Sequence, residues 1–230
     1  MEIKPIAHIE TDFDTKFGVP RQSGIVSKSR GRIVFCTEYR NADALRGLED
    51  FDYLWLLWDF SEAHRKDWSP TVRPPRLGGN QRMGVFATRS PFRPNNIGLS
   101  SVRLCGIDYE AADGPVILVE GADLMNHTPI YDIKPYLAYT DAHPEAAGGF
   151  TGGTARTNAE DLEVVMPPEV VTMLGEQLSE TLRQVLAADP RPRYQADATR
   201  IYGFVFASHE VKFRVDNRLV VVLSCSKASR

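Results

Sequence analysis

YLWLLWDF, residues 53 to 60, is the most apolar stretch of a 230-residue chain. Eight residues, rich in aromatics and almost free of polar interruption, read as a strand buried on both faces. Trp55 and Trp58 can each bury roughly 150–250 Å². Lying three apart, they face opposite sides of an extended chain. One therefore fills a closed interior, while the other covers a second element or a partner subunit.

On either side of this stretch, further short strands are expected at Ile3 to Glu10, Ile33 to Thr37, Val102 to Ile107, Val116 to Glu120 and Ile130 to Tyr136. Residues 121–128 continue the pattern. The Val102 and Val116 strands are joined by the acidic, glycine-containing turn AADG (residues 111–114), and a short helix is expected from Ala42 to Leu48. Many short strands between turns predict a mainly β fold, with an N-terminal β-barrel of about 135 residues. We place this barrel in residues 1–140 and a glycine-rich linker in residues 141–158. A small C-terminal α+β domain then occupies residues 159–230. There Pro167-Pro168 open a helix whose apolar stripe is Val171, Leu174, Leu178, Leu182, Val185 and Leu186, and Asp189-Pro190 stop it. Three antiparallel strands follow, at Ile201 to Ala207, Val211 to Val215 and Leu219 to Ser224. A unit this small is expected to pack on the barrel.

Composition narrows the class. A hydrophobic content of 43% supports a packed core. Glu2 and Lys4 interrupt any signal-peptide pattern, and no run approaches the ~20 apolar residues of a membrane helix. Cys36, Cys105 and Cys225 are dispersed, which argues against a disulfide frame or zinc site and for the cytoplasm. The five histidines form no ligand pattern, so no metal is expected. AGGFTGG (residues 147–153) neither follows a clear strand nor directly opens a helix, and LGGN (residues 77–80) fails the same test. A Rossmann oxidoreductase is excluded on that ground.

The stretch MGVFATRSPFRPNNIGLSS, residues 83 to 101, carries the chemistry. A strand over Val85 to Thr88 is expected to give way to a stiff loop. Pro91 and Pro94 remove backbone donors there, and Asn95, Asn96 and Gly98 tolerate positive φ. Arg89 and Arg93 present planar forks suited to carboxylate or phosphate. From Arg65 to Arg103 there are eight basic residues and one acid, a local charge of +7. The remainder carries 19 basic residues against 29 acids, so the overall −3 conceals a basic segment on an acidic body. That distribution points to an anionic partner held at one place.

Four blocks then acquire a collective meaning: Pro70 to Ser100, VPRQSG (residues 19–24), DIKPYL (residues 132–137) and DPRPRY (residues 189–194). Together and in this order they resemble the TrmO family, also called YaeB or TsaA. The resemblance implies an S-adenosylmethionine-dependent tRNA (adenine-N6)-methyltransferase built on a β-barrel. Its target is N6 of N6-threonylcarbamoyladenosine, just 3′ of the anticodon, and its cofactor site lies near a homodimer contact. The implied cofactor-binding positions are Pro20, Arg21, Gln22, Ser61, Glu62, Arg89, Leu99, Glu120, Gly121, Ala122 and Asp123. Related sequences usually have histidine at Ser61 and a second proline at Asn96, a change expected to loosen the loop.

A ureido nitrogen is a poor nucleophile and needs a base or donors that stabilise its deprotonated form. Within DPRPRY, Asp189 is the candidate base, or else the residue that ends a helix. Arg191 is the candidate fork for the threonine carboxylate. Tyr194 is the candidate stacking or proton-handling residue. Arg73, Arg76 and Arg93 are assigned to tRNA with Arg191. Two other functions stay open on the sequence: a methyltransferase of the same barrel acting on a small acceptor, and a non-catalytic cofactor- or RNA-binding module. Cofactor binding and methyl incorporation into tRNA distinguish the three.

Overall fold

In the computed structural model, which describes residues 2–152, 161–191 and 197–228, YLWLLWDF forms strand β3 (Tyr53–Asp59). Its side chains alternate and are not buried on both faces. Leu54, Leu56 and Trp58 enter the core, whereas Tyr53 is exposed and Trp55 and Leu57 are half-buried on the outside. The reason is topological: a closed barrel has its core on one side of each strand. The outer Trp55 packs on Tyr136, with ring centroids 5.4 Å apart, and its indole donates to Asp141 Oδ2 at 2.7 Å. Asp141 belongs to a short helix, α1 (Ala138–Asp141).

The barrel is closed by six antiparallel strands in the order β1 (Ala7–Thr11), β2 (Arg30–Phe35), β7 (Val116–Glu120), β6 (Ile97–Asp108), β3 and β8 (Thr128–Pro135). Gly98 of β6 lies opposite Trp58, and a Cβ there would overlap the indole. The smallest residue thus lets the largest fill the barrel's end. The expected helix over 42–48 is two 3₁₀ turns, Ala42–Leu45 and Leu48–Asp50, separated by Arg46 and Gly47.

The expected strand from Val85 to Thr88 is not formed. A two-residue ribbon, β4 (Thr71–Val72) with β5 (Met83–Gly84), ends in a 3₁₀ turn at Val85–Ala87. Val85 N donates to Pro70 O at 2.9 Å, and Thr88 Oγ1 donates back to Val85 O at 2.8 Å. Local side chain to backbone bonds have won over the period-two pattern.

The C-terminal part has a four-stranded sheet in the order β10 (Tyr202–Phe206), β11 (His209–Asp216), β12 (Leu219–Lys227) and β9 (Glu163–Val165). The three expected strands are antiparallel as read, and β9 adds a short parallel edge. Helix α2 (Pro168–Ala187) is broken at Gly175, which has φ 77°. That break re-phases the stripe: Val170, not Val171, is buried beside Leu174, Leu182, Val185 and Leu186. Residues 12–29 leave the barrel between β1 and β2 and enter this second core through Phe13 and Val26. Asp12 O accepts from Ala207 N at 2.9 Å, and Lys28 O accepts from Thr181 Oγ1 at 3.0 Å. The segment containing VPRQSG is therefore pinned to both cores.

Candidate functional site

At one end of the barrel, three predicted segments meet. Gly24 N donates to Gly121 O at 2.8 Å, which locks the VPRQSG loop to the turn after β7. Arg89 donates from Nη1 to Gln22 Oε1. Asp123 accepts from Ser100 Oγ at 2.6 Å, and Ser100 accepts in turn from Trp58 Nε1 at 3.0 Å. Burial pushes the Asp123 carboxyl above its ordinary range. The Ser100 hydroxyl, the backbone amides of Asp123 and Ser23, and the positive charge of Arg89 oppose that shift. Pro20, Gly121 and Ala122 are buried in the supporting wall.

The loop after Arg89 is braced by its own side chains. Arg93 Nη1 donates to Thr88 O and Ser90 O at 3.1 and 3.4 Å. Ser90 N and Phe92 N donate to Thr88 Oγ1 and Ser90 Oγ, both at 3.2 Å. Asn96 Nδ2 donates to Pro91 O at 2.7 Å, so its amide replaces with a hydrogen bond the stiffness a second proline would give. Arg89 and Arg93, four residues apart, therefore differ in what they engage: one reaches the VPRQSG loop, the other its own turn.

Arg21 carries the site toward the C-terminal part. Its Nη2 donates to the carbonyls of Asp189 at 3.0 Å and Arg191 at 2.7 Å. Arg191 forks the Asp189 carboxylate, with Nε to Oδ1 at 2.8 Å and Nη2 to Oδ2 at 3.0 Å. The hydrogen bond to Asp189 raises the Arg191 pKa further above its already high ordinary value. A cleft of about 2140 Å³ is lined by Arg21, Gln22, Arg89, Arg93, Pro190 and Arg191 together with the basic excursion between β3 and β6, and Ser100 and Asp123 stand outside that lining.

Other predicted positions lie apart from the Gln22–Arg89–Asp123 cluster. Glu120 stands on the outer barrel wall between Arg30 and Arg103, 3.7 and 3.9 Å away. Leu99 is 55% exposed on the outer face of β6. Ser61 and Glu62 form an exposed 3₁₀ turn after β3, tied to the 12–29 segment where Lys16 Nζ donates to Glu62 O at 2.6 Å. Arg73 is exposed on the excursion and lines the cleft. The Arg76 side chain and Tyr194 lie outside the described residues.

Sequence reasoning missed Ser100 and the role of Trp58 beneath Asp123, because their juxtaposition depends on the β3–β6 register. It also missed Asp59, which accepts from His64 Nε2 at 2.7 Å and interacts with the Tyr131 hydroxyl. No local spacing signals that group.

The donor set suits the cofactor that the resemblance implies. An arginine fork fits a methionine carboxylate, and a half-buried carboxylate backed by a serine fits a ribose hydroxyl or an ammonium. The VPRQSG loop and the turn after β7 are held side by side by the Gly24–Gly121 bond.

Comparison with known proteins finds likenesses over both parts of the chain. The model of the tRNA-methyltransferase O N-terminal domain matches residues 8–142, and that of the TrmO C-terminal domain matches residues 159–228. The chain is 39% identical over 219 residues to the tRNA (adenine(37)-N6)-methyltransferase of Escherichia coli (strain K12), covering 93% of each chain. It is 42% identical over 173 residues to the protein of the same name from Eikenella corrodens, covering 75% of this chain and 95% of that one. A crystal structure of TrmO from Pseudomonas aeruginosa superposes with a TM-score of 0.77 at 30% identity, covering 98% of each chain.

Proposed function

The chain belongs to the tRNA-methyltransferase O family, and from that premise we propose how its residues divide the work of methylating adenosine 37 of tRNA. The reaction is S-adenosylmethionine-dependent transfer of methyl to N6 of N6-threonylcarbamoyladenosine, 3′ of the anticodon. Residues 1–140 hold the cofactor, and residues 159–230 take part in recognising the target base. One observation carries the reading: Gln22 engages Arg89 while its neighbour Arg21 engages the Asp189–Arg191 segment. The cofactor loop and the acceptor segment thereby become two walls of one cleft.

S-adenosylmethionine supplies an electrophilic methyl carbon when bound. Arg89 and Gln22 would hold its carboxylate, and Asp123 with Ser100 would take a hydroxyl or the ammonium. Arg191 begins on Asp189 and exchanges that carboxylate for the one on the substrate's threonine. The exchange would free Asp189 to accept the N6 proton as the methyl–sulfur bond breaks and the N–C bond forms, the sulfur leaving as a neutral thioether. Charge-assisted forks are geometrically specific, so a base lacking the threonylcarbamoyl group leaves Asp189 engaged. Tyr194 stacks on the extruded base. Arg73 and Arg76 neutralise phosphates, as does Arg93, which lines the cleft while bracing its loop. A tRNA substrate suits a cytoplasmic location. The half-buried Leu57 and exposed Leu99, paired across β3 and β6 on the barrel's outer face, suit a homodimer contact.

The test is mass spectrometry of nucleosides from tRNA, with and without the threonylcarbamoyl group, incubated with enzyme and labelled S-adenosylmethionine. Label is expected on N6 of the modified nucleoside alone. Equal methylation of tRNA lacking the group would overturn the exchange at Arg191.

A further inference from the structure

Trp68 and Phe86 have no part in the reading above, yet both line the same cleft. Trp68 is 52% exposed and Phe86 72%. Leaving two aromatic faces in water forgoes burial that each could contribute to a core. Their positions are nonetheless built. Val85, next to Phe86, is 1% exposed and anchors its 3₁₀ turn. The bond from Val85 N to Pro70 O and the pairing of Thr71 with Gly84 fasten the Trp68 arm to the Phe86 arm. The ring centroids are 6.1 Å apart at an interplanar angle of 32°.

The surroundings select the ligand. Arg65, Lys66, Arg73, Arg82 and Arg89 line the cleft with these rings. Phe92 has one face already occupied, by the Arg65 guanidinium 3.6 Å from its centroid. Among the described residues, Trp68 and Phe86 have no ring or cation contact except with each other. Open aromatic faces interleaved with cations match a ligand that is flat and apolar on its faces and anionic along its chain. Single-stranded nucleic acid has that chemistry.

We propose that Trp68 and Phe86 form a stacking platform for an unpaired base of the tRNA anticodon loop, a contact that rests on the function proposed above. The geometry favours a platform over a clamp. A base inserted between two rings needs about 7 Å, two stacking steps of ~3.4 Å, and the tilted rings stand closer than that. The base lies on the outward face of one ring, and the second ring backs it. Stacking is tolerant of base identity. The platform therefore holds a neighbour of the target and leaves selection to the Arg191 side of the cleft.

The test compares Trp68→Ala, Phe86→Ala and the conservative Trp68→Phe with the parent protein, all checked for unchanged thermal unfolding. Binding of an anticodon stem-loop is followed by anisotropy over a salt series, and S-adenosylmethionine binding by calorimetry. The variant that removes the ring bearing the base is expected to lose roughly 5- to 100-fold in RNA affinity, the range of aromatic–base stacking, and the variant that removes its backing ring less. The salt slope should stay unchanged because every phosphate keeps its cation. Trp68→Phe should recover most of the loss, and cofactor affinity should not move. Unchanged RNA affinity in both alanine variants would overturn the proposal. So would a matching loss of cofactor affinity, which would make the platform an adenine shelf. Dissociation of a dimer in the alanine variants would also overturn it, by assigning the rings to a second copy. If the parent itself bound no RNA, the proposed function would fail first, and the platform with it.

Discussion

The barrel mouth and the basic excursion meet at one cleft, the mouth through Gln22 and Arg89, but are built in opposite ways. At the mouth, Gln22, Arg89, Ser100 and Asp123 are linked by hydrogen bonds to one another or to the Trp58 indole in the core. On the excursion, Arg73, Trp68 and Phe86 stand exposed on a ribbon with two residues in each strand. A small, fixed ligand favours the first design, because groups held in place lose little freedom on binding. A long, flexible polyanion favours the second, because many exposed charges can each meet a phosphate. Variants in the two regions should therefore separate cofactor binding from RNA binding.

The strongest separation is expected at the mouth. Arg89→Ala should weaken S-adenosylmethionine by roughly ten- to a hundredfold, from charge-assisted hydrogen bonds worth ~1.5–3 kcal/mol. Calorimetry should show this loss with RNA affinity far less changed. A folded variant with full cofactor affinity would erase the distinction where it is greatest.

Next is the packing beneath the mouth. Gly98→Ala places a Cβ against the Trp58 ring, and overpacking of this kind costs ~1–3 kcal/mol. Thermal unfolding should fall by several degrees, and cofactor affinity should fall with it because Trp58 supports Ser100. An unchanged melting temperature would show that the indole moves freely and that the mouth is not preorganised.

A weaker effect probes the same rigidity through pH. The Asp123 carboxyl is held above its ordinary pKa, chiefly by burial. The folded state therefore binds a proton more tightly there than the unfolded state does. The resulting stability is fully present below the unfolded pKa and is lost as pH rises through the folded one. Asp123→Asn should raise the melting temperature at neutral pH and lose that advantage in acid, while weakening the cofactor. A stabilisation that does not vary with pH would remove the assigned cause.

On the excursion each residue should matter least. Neutralising Arg73 and Arg76 together should flatten the log–log salt dependence of tRNA binding by about 0.7–0.9 for each phosphate left without its cation. Cofactor affinity should stay as it was. An unchanged slope would mean that these arginines serve something other than RNA.

Much of the scaffold was legible because its signals are local. The strand expected from Val116 to Glu120 is β7 to the residue, and YLWLLWDF is a barrel strand. The absence of a dinucleotide fingerprint correctly pointed away from a Rossmann fold. Short elements escaped: three residues of β9 and two each of β4 and β5 are too few to display a period. The turn at Val85 escaped because hydroxyls and a distant carbonyl decide it. The mouth was half legible. The resemblance nominated Gln22, Arg89 and Asp123, but Ser100 joins them only through strand register. It equally nominated Glu120, whose carboxylate lies between two cross-strand arginines that nothing in its own neighbourhood announces.

Hydrogen–deuterium exchange of the protein alone, with S-adenosylmethionine, and with cofactor and tRNA together would resolve the division of the cleft segment by segment. We expect the cofactor alone to protect residues 20–24, the backbone around Arg89 and residues 121–123, leaving residues 65–87 unchanged. Added tRNA should then protect residues 65–87 and the segment around Asp189. Protection of the excursion by cofactor alone, or a mouth that responds only to tRNA, would show that the cleft is not divided in this way.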